Sequence, residues 1–108
     1  SSDLLFKTSD IIIISSHWEG FGLVAVEGMA VGKPVVASDV PGLAEVVRGA
    51  GVLFEKGNDK ELCKTIRNLI ENQKYYSEIS TKCFERSRKY NINKMVRKYY
   101  EQYIKDID

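Results

Sequence analysis

The sequence predicts an α/β domain, with three parallel strands at about 11–15, 34–38 and 51–54, flanking helices and a helical C-terminal part. Three observations predict it. Four consecutive isoleucines, Ile11 to Ile14, form an apolar run without polar alternation, as suits a strand buried on both faces. Two further short apolar runs, Pro34-Val35-Val36-Ala37-Ser38 and Gly51-Val52-Leu53-Phe54, each follow a stretch of helical character. Strands that alternate with helices imply right-handed crossovers and a parallel sheet.

The elements follow in order. Leu4-Leu5-Phe6 reads as the end of a short helix, closed before Ser9-Asp10. Gly22 to Val31 reads as a helix, stopped by Gly32. Pro34 stands at the first residue of its strand, where a missing N–H is tolerated. Pro41 to Val47 reads as a short helix with Asp39 or Pro41 near its start. After Gly57 the pattern is helical throughout. Asn58-Asp59-Lys60-Glu61 resembles a capping box, and Leu62, Cys63, Ile66, Leu69 and Ile70 repeat at helical spacing behind it. Tyr76, Ile79, Cys83 and Phe84 mark another helix. Asn91 can cap a last one carrying Met95, Val96, Tyr99, Tyr100, Tyr103, Ile104 and Ile107.

Composition excludes several function classes. The 108 residues leave room for one domain, and a net charge of +1 gives no global basic field for nucleic acid. The charge is uneven: residues 1–56 carry four Lys/Arg against seven Asp/Glu, residues 57–108 twelve against eight. Arg86, Arg88, Lys89, Lys94, Arg97 and Lys98 read as solvated helix faces, with peripheral contact to an anionic membrane as the alternative. Cys63 and Cys83 lack any CxxC or histidine cluster and read as two buried free thiols in a reducing compartment. No apolar run approaches the roughly 20 residues of a membrane span, and no signal peptide is evident, so a cytoplasmic location is expected. His17, the one histidine, reads as a loop or packing residue, and Trp18 as packing at the loop base. Asp106-Ile107-Asp108 lies at a chain end, off any strand, and reads as a solvated helix terminus. No metal is expected.

The chemistry concentrates in Glu19-Gly20-Phe21-Gly22-Leu23-Val24-Ala25-Val26-Glu27. Glycines let a backbone approach a ligand, and a helix beginning near Gly22 directs free N–H groups at an anion. Carboxylates cannot hold phosphate, but they accept hydrogen bonds from hydroxyls. Glu19 precedes the helix, and Glu27 lies one turn inside it, roughly 6 Å further along at about 1.5 Å per residue. Two acids on either side of an anion-binding backbone suit a phosphorylated sugar. A rival reading exists, because Gly20-Phe21-Gly22-Leu23-Val24-Ala25 also fits the dinucleotide fingerprint G-x-G-x-x-G/A, with Asp39 near the place of a ribose-binding acid. Against it, five residues separate the isoleucines from the first glycine, and Glu27 has no task beside a bound pyrophosphate.

The segment Ser9–Phe54 resembles the donor-binding half of glycosyltransferase family 4, the retaining family with the two-domain GT-B fold. The resemblance rests on Glu19 and Glu27 with seven residues between them, on Ser15-Ser16, and on Gly28-Met29-Ala30. Gly32-Lys33-Pro34-Val35-Val36-Ala37 and Pro41-Gly42-Leu43-Ala44-Glu45-Val46-Val47 carry it further. The chain departs from the family pattern after Val47, where Arg48-Gly49-Ala50-Gly51 is a shortened loop. The resemblance implies that residues 1–108 form a partial, Rossmann-like donor domain, the C-terminal half of a GT-B fold, with the N-terminal acceptor domain absent. It implies transfer of a hexose-like unit from a nucleotide-sugar to a hydroxyl of a glycan or lipid-linked acceptor, with retention and without a cofactor or metal. Glu19 would be catalytic, contacting donor-sugar hydroxyls near the reacting carbon. Gly20, Phe21, Gly22 and Leu23 would bind the sugar and diphosphate, and Glu27 the ribose. In the family the strand matching Ile11–Ile14 pairs with one further upstream. In this chain it is therefore expected at an open edge, where it would promote self-association. A dinucleotide-binding domain and a non-catalytic interaction module stand as alternatives.

Overall fold

The computed structural model describes the backbone of residues 4–7, and residues 11–15 and 21–107 in full. Strands β1 (Leu4–Lys7), β2 (Ile12–Ser15), β3 (Val35–Ser38) and β4 (Val52–Phe54) make one sheet in that spatial order. The expected three strands, β2 to β4, are parallel, with Ile12 opposite Val35 and Val36 opposite Val52. All four isoleucines are buried, so successive side chains find cover on opposite faces of β2.

Two expectations fail together at the N-terminus. Leu4–Phe6 is not a helix end but part of β1, which pairs antiparallel with β2, Leu5 opposite Ile14. The isoleucine strand is therefore not an open edge, and pairing of β2 with a second copy is not available to it. Four residues are too few for periodicity to separate helix from strand. What decides is tertiary: β2 is apolar on both faces and needs a partner for its second row of backbone groups.

The helices are α1 (Phe21–Ala30), α2 (Ala44–Val47), α3 (Asp59–Glu71), α4 (Gln73–Ser87) and α5 (Ile92–Ile107). α1 starts one residue earlier than expected. Gly32 ends it in the left-handed conformation (φ +77°), its amide bonded to the Met29 carbonyl at 3.0 Å. α2 is shorter than expected. Neither Asp39 nor Pro41 caps it; Leu43 stands at its N-cap, without a side-chain bond. Asn58 caps α3 as expected, accepting from the Glu61 amide at 3.0 Å. The Glu61 carboxylate reaches instead to the Glu55 amide (2.6 Å), so it ties α3 to the exit of β4. Asn72 and Asn91 cap α4 and α5 in the same way, each at 3.0 Å.

α1 lies against the parallel strands, and Gly28 permits the approach: a Cβ there would stand 2.4 Å from Ile12 Cδ1. α4 packs on α1, and the Ser80 hydroxyl donates to the Gly32 carbonyl. The core joins the isoleucines, Val26, Met29, Val35, Val36, Val47 and Phe54 to Leu69, Ile79 and Cys83 of the helical tail.

The thiols divide. Cys83 is buried as expected, but Cys63 is exposed. The inward stripe of α3 runs through Leu62, Thr65, Ile66 and Leu69; Cys63 is turned about 100° from Leu62 and falls outside it. Burial pushes the Cys83 thiol above its ordinary value of 9.0, against weaker opposing effects from a hydrogen bond with Val35 and from the Arg86 charge. The sign follows from linkage. A raised pKa means the folded chain holds its proton when the unfolded chain has released it, so stability is complete below the unfolded pKa and falls as pH rises toward the folded one. We expect the unfolding midpoint to decline more steeply above pH 9 in the unaltered chain than in Cys83→Ala. Parallel midpoint-against-pH curves for the two would remove this role.

Candidate functional site

The chain leaves the carboxyl end of β2 at Ser15 and enters α1 at Phe21. The first turn of α1 thus sits at the carboxyl edge of a parallel sheet, where α/β folds place ligands. By helix geometry its leading amides point outward along the axis and carry the positive end of the helix dipole. No acidic residue occupies that first turn.

Packing holds this turn from the side. Gly22 is buried; a Cβ on it would stand 3.1 Å from the Gly42 carbonyl oxygen, 3.1 Å from the Tyr99 hydroxyl and 3.9 Å from Val46 Cγ2. Phe21, Leu23 and Val24 are half-buried. The Gly42 carbonyl belongs to the turn that follows β3. There the Leu43 and Ala44 amides both donate to the Val40 carbonyl (3.2 and 2.9 Å). Gly42 has φ +91°, and its own N–H donates to Glu45 Oε2 at 2.6 Å. Glu45 therefore fixes the loop that abuts α1.

Glu27 is exposed on α1, six residues after Phe21. At about 1.5 Å per residue that is about 9 Å along the axis from Phe21. It shares a face with Leu23 and Val24 and lies away from Gly22. Gly22, Leu23 and Glu27 are thus brought onto one short helix as expected, with Phe21 at its first position. Glu19 and Gly20 lie outside the described residues, as do His17 and Trp18. Asp39, the acid of the dinucleotide reading, pairs with Arg48 at 2.9 Å, both side chains well exposed. Sequence reasoning did not find that the Tyr99 hydroxyl lies beside Gly22. Tyr99 reads as one more apolar position of α5, and nothing local signals which residue, some 77 positions back, it meets.

The basic stretch also resolves into distinct roles. Arg86 Nη1 donates to the Val46 and Arg48 carbonyls at 2.8 and 2.9 Å, so it closes the end of α2. Arg48, Arg86, Lys89 and Tyr90 line an open groove of about 490 Å³ beside Ala44 and Glu45. Among the described residues no group of three His, Cys, Asp or Glu could hold a metal ion, and no helix is long and apolar enough to cross a membrane.

The family model described as glycosyl transferases group 1 matches residues 2–99. A glycosyltransferase of Methanocaldococcus jannaschii is 42% identical over 101 residues, which cover 89% of this chain and 29% of the relative. A D-inositol 3-phosphate glycosyltransferase of Nocardioides sp. is 30% identical over 95 residues, covering 86% of this chain and 21% of the relative. Among solved structures, Anabaena HepE in complex with UDP-glucose superposes with a TM-score of 0.70 at 29% identity, over 89% of this chain and 28% of that one. The chain spans less than a third of the length of each of these proteins. With a model match over nearly its full length, the chain belongs to the glycosyl transferases group 1 family.

Proposed function

We propose that the chain is the donor-binding portion of a retaining, nucleotide-sugar-dependent glycosyltransferase of family 4. Its parent transfers a hexose-like unit to a hydroxyl of a glycan or lipid-linked acceptor. The observation that carries this reading is the acid-free first turn of α1 at the carboxyl edge of the sheet, with Glu27 exposed on the same helix. The likeness to a protein solved with UDP-glucose supports it.

Each residue then has a task. The amides of Phe21, Gly22 and Leu23, with Gly20 before them, hold the diphosphate and the sugar. As the glycosidic bond breaks, charge develops on the departing diphosphate, and the helix terminus is already oriented to stabilise it. Glu27, about 9 Å along the axis from Phe21, is placed for the ribose hydroxyls. Glu19 contacts sugar hydroxyls near the anomeric carbon. No metal is part of this proposal, because the helix terminus supplies the positive end. A cytoplasmic setting accords with two free thiols. The rest of the donor site and the acceptor site belong to the remainder of the parent.

A titration tests this on the chain itself. UDP-glucose added to isotope-labelled protein is expected to shift the amides of Gly22, Leu23, Val24 and Glu27, with a dissociation constant weaker than roughly 1 mM. Glu27→Ala should weaken it further. Unmoved α1 amides at a large millimolar excess would end the reading, and micromolar affinity would refute the claim that essential donor contacts lie elsewhere in the parent.

A further inference from the structure

The first turn of α1 is flanked by a residue from the last helix of the chain. On α5 Ile92, Met95 and Tyr99 are half-buried at spacings of three and four, while Val96, Tyr100 and Tyr103, beside and beyond this stripe, are exposed. α5 packs on α1, and the tyrosine hydroxyl at the end of this stripe reaches the flank of Gly22. On the same flank stands the Gly42 carbonyl, held by the Glu45 carboxylate through the Gly42 amide. Both atoms lie 3.1 Å from where a Cβ would be, closer than an ordinary van der Waals contact, so position 22 has no room for even a methyl group without displacing one of them. The two neighbours differ in compliance. The carbonyl is backbone in a hydrogen-bonded turn; the hydroxyl ends a side chain.

We propose that Tyr99 is a positioning residue for the donor site: its hydroxyl, opposite the Gly42 turn, fixes where the first-turn amides of α1 point. This rests on the α1 donor reading above. Anion binding by amides depends steeply on direction, so a shift of a few tenths of an ångström in that turn changes affinity before it changes the fold.

The test is a double-mutant cycle read by UDP affinity in the amide titration, with thermal midpoints confirming that each variant is folded. Tyr99→Phe removes only the hydroxyl and is expected to weaken UDP binding about threefold. Gly22→Ala pushes the turn off its neighbours and is expected to weaken it at least as much. In the Gly22→Ala background the added methyl meets both the Tyr99 hydroxyl and the Gly42 carbonyl. Adding Tyr99→Phe there removes one of the two close approaches and should restore part of the lost affinity, so the same substitution acts with opposite sign in the two backgrounds. A tyrosine that merely stabilised the fold would weaken binding, or leave it unchanged, in both. The same effect of Tyr99→Phe in both backgrounds, with α1 amides still responding to UDP in the unaltered chain, overturns this inference and leaves the donor reading intact. Absence of any α1 response in the unaltered chain overturns both.

Discussion

Gly51→Ala is expected to lower the unfolding free energy by about 3 kcal/mol, near the upper end for overpacked sites. The reason is the backbone it would meet. A Cβ on Gly51 would lie 2.3 Å from the Val35 carbonyl oxygen and 2.9 Å from Val47 Cγ1. Relief to an ordinary contact requires a movement of about 1 Å, and neither partner can give it cheaply. Val35 and Val47 are fully buried, and Val35 sits in β3 between two other strands. Gly51 is itself tied down, its amide donating to the Val47 carbonyl at 2.9 Å. A domain of this size has about 5–15 kcal/mol in total, so the loss would lower the thermal midpoint by roughly 15 °C. Gly28→Ala is the control. There the nearest atom is Ile12 Cδ1, at the end of a side chain that has rotamers to spare, and the cost should be smaller. Denaturant unfolding of the two variants decides the matter. Equal losses would show that contact with backbone is not what sets the cost.

That glycine also marks where reading the sequence stops short. The parallel order of β2, β3 and β4 was legible because each strand is an uninterrupted apolar run bounded by turn residues, and a strand buried on both faces needs no other signal. The caps at Asn58 and Asn91 were legible because a cap is local: its side chain reaches an amide three residues on. Gly51 read only as the start of a strand, because the Val35 carbonyl that excludes a side chain lies sixteen residues back. β1 was misread for the same physical reason. Leu4–Lys7 has no preference strong enough to decide its state, and its strand state comes from the unpaired side of β2. That Gly22, Leu23 and Glu27 share one helix was legible from the glycines and the position of a helix start. Tyr99 and the Gly42–Glu45 bond were not, because packing between distant helices and turns leaves no periodic trace in the sequence. Cys63 shows the converse error: an apolar position at nearly the right spacing, yet turned about 100° from its neighbour and out of the core.

Glu19→Ala and Glu27→Ala should separate in the proposed parent enzyme, with the largest effect in the first. Glu27 stands on the outer side of α1, well along the axis from its first turn, where the proposed partner is a ribose. Ribose hydroxyls keep their character through the reaction, so the contact is equally strong before and during bond breaking. Losing it is a loss of uniform binding, and Glu27→Ala should raise the Michaelis constant for the nucleotide-sugar about tenfold with turnover nearly kept. Glu19 precedes the helix and is proposed to touch the sugar itself. That ring gains positive charge as the diphosphate departs, so a carboxylate holding its hydroxyls interacts more strongly in the transition state than in the ground state. Glu19→Ala should therefore lower turnover about 100-fold, the scale of losing one oriented electrostatic contact, with little change in the Michaelis constant. Steady-state kinetics on both variants, with Glu19→Gln to keep the shape and remove the charge, reads the split directly. If both substitutions raise the Michaelis constant alike and leave turnover untouched, the two acids share one binding role. The assignment of Glu19 to the reacting sugar then fails, while the anion-binding helix terminus stands.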